Sequence, residues 1–303
     1  MHYIAIDIFY ICCAAFLAVI IFLAIKLNQL VRQLRAEPGV AVKKADKALL
    51  KEIEGGLQNQ AFKLYLQFMV DNKTKQLVSA EALSRWEKEN GEVVLPGAYI
   101  GAMERTQTIS VLDYFMFEKV CDKLSQWKDT DLAGLTMSCN FSRLTISEND
   151  FVSRIEEIAN RYEFDRAKLF LEITEDFLEN NKAVAMQNII RVKQLGFRVS
   201  LDDLGSGYTS MMSLCKYPID VAKIDRQLFL KTSEENGRTL FKGIISLAHD
   251  LNLRVVCEGV ETEEQDRFVT ETNCDMIQGW YYSKAIPESE AEAFARVYME
   301  KFR

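Results

Sequence analysis

Apolar and polar positions fall into two rhythms along the chain. The first is unbroken: residues 8–25 (IFYICCAAFLAVIIFLAI) are 18 consecutive uncharged positions with no polar face. At 1.5 Å of rise per residue they cover about 27 Å as a helix, close to the hydrocarbon thickness of a bilayer. A buried core helix of this length would show a polar stripe. A cleaved leader would carry a basic residue before the run and a small-residue cleavage site after it. Only His2 and Asp7 precede it as polar flanks, whereas Lys26, Arg32, Arg35, Lys43, Lys44 and Lys47 follow. Residues 1–26 are therefore expected to form one transmembrane anchor in the cell membrane, with the carboxyl-terminal body in the cytoplasm. Residues 27–58 read as a polar helical linker, broken near Pro38-Gly39.

The second rhythm begins near residue 59. Eight short apolar runs recur: FKLYLQFMV (62–70), QLVSAEALSRW (76–86), LTMSCNF (135–141), KLFLEITE (168–175), RVSLDD (198–203), VAKID (221–225), RVVCEGVE (254–261) and MIQGWYY (276–282). Amphipathic stretches such as DYFMFEKVCDKLSQW, FVSRIEEIANRY and TLFKGIISLAHDLN separate most of them. Strands too apolar for a wet face, alternating with helices, predict a mainly parallel α/β sheet. Eight such units over this length match a (β/α)8 barrel of TIM type. A short DNKTK turn joins the first two runs, so the first strand should pair antiparallel. A doubly wound open sheet is the alternative, but no GxGxxG turn supports it.

Polar residues punctuate these runs near their carboxyl ends: Glu81, Asn140, Glu172, Asp202 with Asp203, Lys223, Glu258 and Gln278. Singly, each is an ordinary loop residue. Recurring on successive strands, they converge at one mouth of a barrel, where active sites are built. Carboxylates gathered there repel one another unless cations neutralise them. A set of Glu, Asp and Asn oxygens suits Mg²⁺ or Mn²⁺. Adjacent Asp202 and Asp203 match a two-ion phosphoester-hydrolysing centre, with Lys223 placed for a phosphate or an attacking hydroxide.

Composition narrows the chemistry further. The 303 residues carry 37 basic and 44 acidic side chains, a net charge of −7, which argues against a non-specific nucleic-acid binder. Two histidines are too few for a His-rich zinc site. The seven cysteines form no CxxC pair and are expected as buried, reduced core residues, Cys139 and Cys257 among them.

The ordered motifs resemble the EAL-domain family of cyclic di-GMP phosphodiesterases. They are the triplet Glu81-Ala82-Leu83, Asn140 in CNFS, LEITE (171–175), DDLGSGYTS (202–210), VAKID, EGVET (258–262) and QGWYYSKAIP (278–287). The resemblance covers residues 59–303. It implies Glu81, Asn140, Glu172, Asp202, Asp203 and Glu258 as ligands of two Mg²⁺ or Mn²⁺ ions. It further implies Lys223, Glu258, Glu261 and Gln278 as catalytic groups, and Glu175 as the residue that steadies a mobile loop. Gln67, Leu83, Arg85 and Asp225 would contact the dinucleotide, and the partners would be cyclic di-GMP and a second copy of the domain. Three positions depart from the family pattern: Phe68 for proline, Leu204 for phenylalanine and Ser206 for threonine. With no GGDEF-type motif, synthesis of the dinucleotide is not expected. Two readings follow: hydrolysis of cyclic di-GMP to linear pGpG, or a catalytically silent receptor for it. Retention of the first glutamate, the paired aspartates and the lysine favours the enzyme.

Overall fold

The computed structural model of the chain describes residues 44–174, 183–205, 214 and 217–302. The expected span at 8–25 lies outside these residues, and no helix among those described is long and apolar enough to cross a membrane. Leu49–Arg303 forms one compact unit.

The chain enters through helix α1 (Lys44–Gln58) and a hairpin of β1 (Phe62–Asp71) and β2 (Leu77–Glu87). A two-residue strand β3 (Val93–Val94) and helices α2 (Ile100–Arg105) and α3 (Ile109–Trp127) follow. Next come β4 (Thr136–Asn140), α4 (Arg143–Ile146), α5 (Phe151–Ala159), β5 (Leu169–Thr174), α6 (Ala183–Gln194) and β6 (Arg198–Leu204). The last part holds β7 (Val221–Ile224), α7 (Arg226–Leu230), α8 (Glu235–Asp250), β8 (Arg254–Cys257), α9 (Glu263–Thr270) and β9 (Met276–Gln278). A short β10 (Ile286–Pro287) and helix α10 (Glu288–Lys301) close the chain.

Eight strands form a closed barrel in the order β1-β9-β8-β7-β6-β5-β4-β2, returning to β1. Neighbours are parallel except at β1, which runs antiparallel to both β2 and β9. The expected barrel with its inverted first strand is thus observed. The inversion has a local cause. Asp71 Oδ1 accepts from Lys73 N at 3.0 Å and Thr74 N at 2.7 Å, and Lys75 adopts a left-handed φ of 58°. That turn reverses the chain within five residues, too few for a crossover helix.

Side chains alternate across each strand, so each strand feeds two cores. Outward-facing Ala80, Met137, Cys139, Leu171, Leu201, Ala222 and Cys257 pack beneath the helices. Inward-facing Met69, Phe170, Val221, Val256 and Met276 form a separate cluster inside the barrel. Cys121, Cys139, Cys257 and Cys274 are buried free thiols, as expected; burial pushes the Cys139 and Cys257 thiols far up, keeping them protonated.

Two strands stop sooner than their apolar runs. β8 ends at Cys257 because Gly259 turns the chain with a φ of 74°. β9 ends at Gln278, where a Cβ on Gly279 would lie 2.0 Å from Val260 O. Only glycine permits that backbone crossing.

Candidate active site

Lys223 is the hub. It points into the barrel from β7, is 1% exposed, and its Nζ meets four carboxylates. Glu258 Oε1 lies at 2.6 Å, Glu81 Oε2 and Asp202 Oδ1 at 3.1 Å each, and Glu172 Oε1 is also in contact. The carboxylates come from β2, β5, β6 and the residue after β8, so barrel closure rather than sequence proximity assembles them. Glu81 is oriented from both sides: Asn140 Nδ2 donates to Oε1 at 2.9 Å and Gln278 Nε2 to Oε2 at 2.7 Å.

Asp203 joins by a backbone irregularity. Adjacent strand residues face opposite ways, so Asp202 and Asp203 would ordinarily diverge. The β6–β7 register slips between Leu201 and Leu204, and Asp203 takes a φ of 59°. Aspartate tolerates that left-handed conformation better than most residues. Carboxylate oxygens of Asp202, Asp203 and Glu258 consequently lie within 4.8 Å of one another.

One ammonium cannot balance this much acid, and the carboxyl groups are shifted accordingly. Burial, reinforced by the Glu81 charge, raises Glu172 well above the usual carboxylate range. Burial also lifts Glu258 to about 8, with Asp202 and Glu81 adding to the effect against the opposing pull of Lys223. Burial and the neighbouring Asp202 charge lift Asp203 to about 6. Asp202 alone goes down: burial would raise it, but the charge and hydrogen bond of Lys223 outweigh that. For Lys223 itself burial disfavours the charge, yet the surrounding carboxylates, Asp202 foremost, hold it protonated. Glu172 Oε2 and Gln278 Oε1 are buried with no hydrogen-bond partner. A carboxylate set that holds protons above its ordinary range, with a free oxygen at its centre, suits hard cations.

A pocket of about 460 Å³ opens above the cluster, with Gln67, Leu83, Arg226, Glu261 and Trp280 in its wall. A second, more apolar recess of about 310 Å³ adjoins it, with Ile100, Leu112, Met116 and Asp203 in its lining. Leu83 and Asp202 belong to both. The site is therefore two-lobed, with the carboxylates at the waist.

Most of the residues expected from the sequence meet here: Glu81, Asn140, Glu172, Asp202, Asp203, Lys223, Glu258 and Gln278 at the centre, with Gln67, Leu83 and Glu261 on the wall. Two stand apart. Arg85 donates to Ser84 O at 2.8 Å with its guanidinium 5.7 Å over the Tyr65 ring, and neither recess counts it in its lining. Asp225 caps α7, accepting from Gln227 N at 2.8 Å. Glu175 lies outside the described residues. Arg226, Trp280 and Asp113 were not singled out by sequence. Arg226 reaches Glu261 at 2.9 Å. Asp113, fully buried, accepts from Ser142 N at 2.9 Å and from Thr145 Oγ1, holding the turn after Asn140; burial lifts it to about 7. A lone acid inside an otherwise apolar helix face was the available signal for it.

The chain has relatives among known proteins. The family model described as the EAL domain matches residues 50–285. The chain belongs to the EAL-domain family. Among curated relatives it is 29% identical over 252 residues to the cyclic di-GMP phosphodiesterase NbdA of Pseudomonas aeruginosa, covering 82% of this chain and 32% of that one. It is 28% identical over 225 residues to the cyclic di-GMP phosphodiesterase PdeR of Escherichia coli, covering 74% and 34%. The chain thus spans about a third of the length of these relatives. The solved PaMucR phosphodiesterase in complex with c-di-GMP superposes with a TM-score of 0.76 at 26% identity, covering 80% of this chain and 99% of that one.

Proposed function

We propose that this EAL domain is a metal-dependent phosphodiesterase that opens cyclic di-GMP to linear pGpG. The observation that carries the proposal is the buried cluster in which Lys223 meets Glu81, Glu172, Asp202 and Glu258. A receptor has no need of four carboxylates packed so tightly around one ammonium. Glu81, Asn140, Glu172, Asp202, Asp203 and Glu258 would hold two divalent cations, Mg²⁺ or Mn²⁺, which supply charge neutralisation and an acidified water. The chain's own groups do the rest. Gln278 and Asn140 fix the rotamer of Glu81, and the Asp203 bulge brings a third carboxylate to the Asp202–Glu258 side. Lys223 keeps a fixed positive charge beneath the reacting phosphodiester, where charge develops as water adds to phosphorus. One P–O3′ bond breaks, its oxygen leaves as the 3′-hydroxyl, and the phosphate stays on the 5′ side. The two lobes either side of the carboxylates suit a ligand with two bases.

The full-length chain, incubated with cyclic di-GMP and Mg²⁺ or Mn²⁺, should yield pGpG by liquid chromatography. EDTA should abolish the product, and Ca²⁺ should inhibit through its larger radius and looser coordination. Tight binding with no pGpG in either metal would give the receptor reading the field.

The same proposal places the domain on the cytoplasmic side of a membrane anchor, on the strength of the apolar run at 8–25 and the basic residues after it. A reporter active only in the cytoplasm should work when fused after Arg303. Activity of a periplasm-only reporter there would refute the orientation.

A further inference from the structure

Helix α1 is seated on the barrel more closely than a tether needs. Ile53 is 1% exposed, and Leu49, Leu50 and Leu57 pack against the same core. Lys51, Glu52, Glu54 and Gln58 stay exposed on the other side. The helix therefore has one apolar stripe, and the barrel has taken it, leaving none for a coiled-coil partner. Gly56 shows how tight the seat is. A Cβ there would lie 2.9 Å from Trp86 Nε1 and 3.2 Å from Phe62 Cε2, whereas one on Gly55 would meet nothing within 4 Å. Backbone bonds continue the link: Ala61 N donates to Gly56 O at 2.7 Å, and Glu87 N donates to Ala61 O at 2.8 Å.

Trp86 and Phe62 pass this seat on to Tyr99. Their rings stack with centroids 5.5 Å apart and 11° between planes, and Tyr99 meets Phe62 edge-on at 5.3 Å. Tyr99 is wholly buried, and its hydroxyl reaches β2. It donates to Ser84 O at 3.1 Å, an acceptor shared with Arg85 Nη1, and its oxygen lies 2.8 Å from Ser84 Oγ, which donates in return. That carbonyl needs the help. β4 pairs with β2 only along Ser79–Ala82, and β3 only at Trp86 and Glu87. Between them this edge of β2 has no strand beside it among the described residues, and the Tyr99 hydroxyl, with the Arg85 guanidinium, takes the place of one. Leu83, directly before Ser84, lines both lobes of the site. Glu81, two residues further back, is braced separately by Asn140 and Gln278.

We infer that α1 is an input arm rather than a tether, and that Tyr99 is the positioning residue through which it acts. The seat of Gly56 on Trp86 and Phe62 sets where Tyr99 holds Ser84, and so where β2 carries Leu83 into the site. A push on α1 from its amino-terminal side moves the wall of the pocket and leaves the carboxylate cage in place. The consequence for turnover rests on the functional proposal above; the mechanical link does not.

The test compares Gly56→Ala with Gly55→Ala in the full-length chain. Both changes favour the helix, so unwinding of α1 cannot explain a difference between them. Only the first drives a methyl into Trp86. Read by hydrogen exchange and mass spectrometry, amides 83–86 should exchange roughly 2- to 10-fold faster in Gly56→Ala and in Tyr99→Phe, the span of one hydrogen bond. Amides 79–82, on the stretch paired to β4, should keep the wild-type rate, as should all of β2 in Gly55→Ala. With cyclic di-GMP and Mg²⁺, KM should rise by roughly 2- to 10-fold at unchanged kcat. The double variant Gly56→Ala/Tyr99→Phe should do no worse than the worse single one. Identical exchange in Gly56→Ala and Gly55→Ala, or effects of Gly56→Ala and Tyr99→Phe that multiply, would overturn the arm. Faster exchange with KM unmoved would overturn it too. A wild type that makes no pGpG would defeat the functional proposal alone; exchange is read without ligand and then decides the arm.

Discussion

Two layers of side chains line the inside of the barrel, and only two residues of each strand separate them. The upper layer holds Glu81, Glu172, Asp202, Lys223, Glu258 and Gln278. Two residues earlier on the same strands, the lower layer holds Ser79, Phe170, Ser200, Val221, Val256 and Met276. The lower layer is close-packed, leaving a gap of only about 20 Å³, and its polar members are small hydroxyls. The upper layer concentrates more negative charge than Lys223 can neutralise. The lower six are all buried, and of the upper six only Asp202 and Glu258 are partly open, so burial alone separates the layers poorly. Position along the strand separates them: the carboxyl ends open onto a pocket, and the positions beneath are enclosed by the barrel wall. The close-packed floor also makes the charged layer more demanding, because little room is left beneath it for screening water.

The largest expected effect comes from the hub of the upper layer. Lys223→Ala should lower the rate of pGpG formation by roughly two to three orders of magnitude, the loss typical of a removed electrostatic donor. Measured by melting, the same variant should be destabilised in EDTA, since four carboxylates lose their shared cation. An undiminished rate would reduce the upper layer to a structural ion cluster.

A smaller effect should come from below. Phe170→Ala opens a cavity in the floor and should cost about 3–5 kcal/mol in chemical denaturation. Its Kd for Mn²⁺, measured by electron paramagnetic resonance, should match that of the wild type. Weakening by roughly 10- to 100-fold, as seen when residues that orient ligands are changed, would show that the two layers act as one.

Much of the upper layer was legible because its members recur at a fixed place in a repeating pattern. Glu81, Asn140, Glu172 and Lys223 each interrupt an apolar run, and period-2 alternation sends them inward. Asp203 could be read as a candidate but its reach could not, since that depends on a register slip and a left-handed φ. Asp113 was hidden because its partners, Ser142 and Thr145, lie about thirty residues away in a different element. Asp225 had a local signal in its favour as a helix cap: an aspartate directly before a helix commonly accepts from the second amide inside it. Trp280 sat within an apolar run expected as a strand, because nothing local showed that Gly279 must turn the chain there.

The inverted β1 carries a consequence for biogenesis. Its second edge pairs with β9 through Met69 and Gln278, positions separated by roughly two hundred residues of chain. At ribosomal rates of about 5–20 residues per second, that edge waits roughly 10 to 40 s for its partner. Throughout that interval the nascent hairpin presents the unpaired amides of a strand rich in Leu64, Leu66, Phe68 and Val70, the kind of edge that recruits other chains. The barrel is therefore sealed by almost the last strand to be synthesised, and a ribosome stalled before residue 276 leaves a product with an open, adhesive seam.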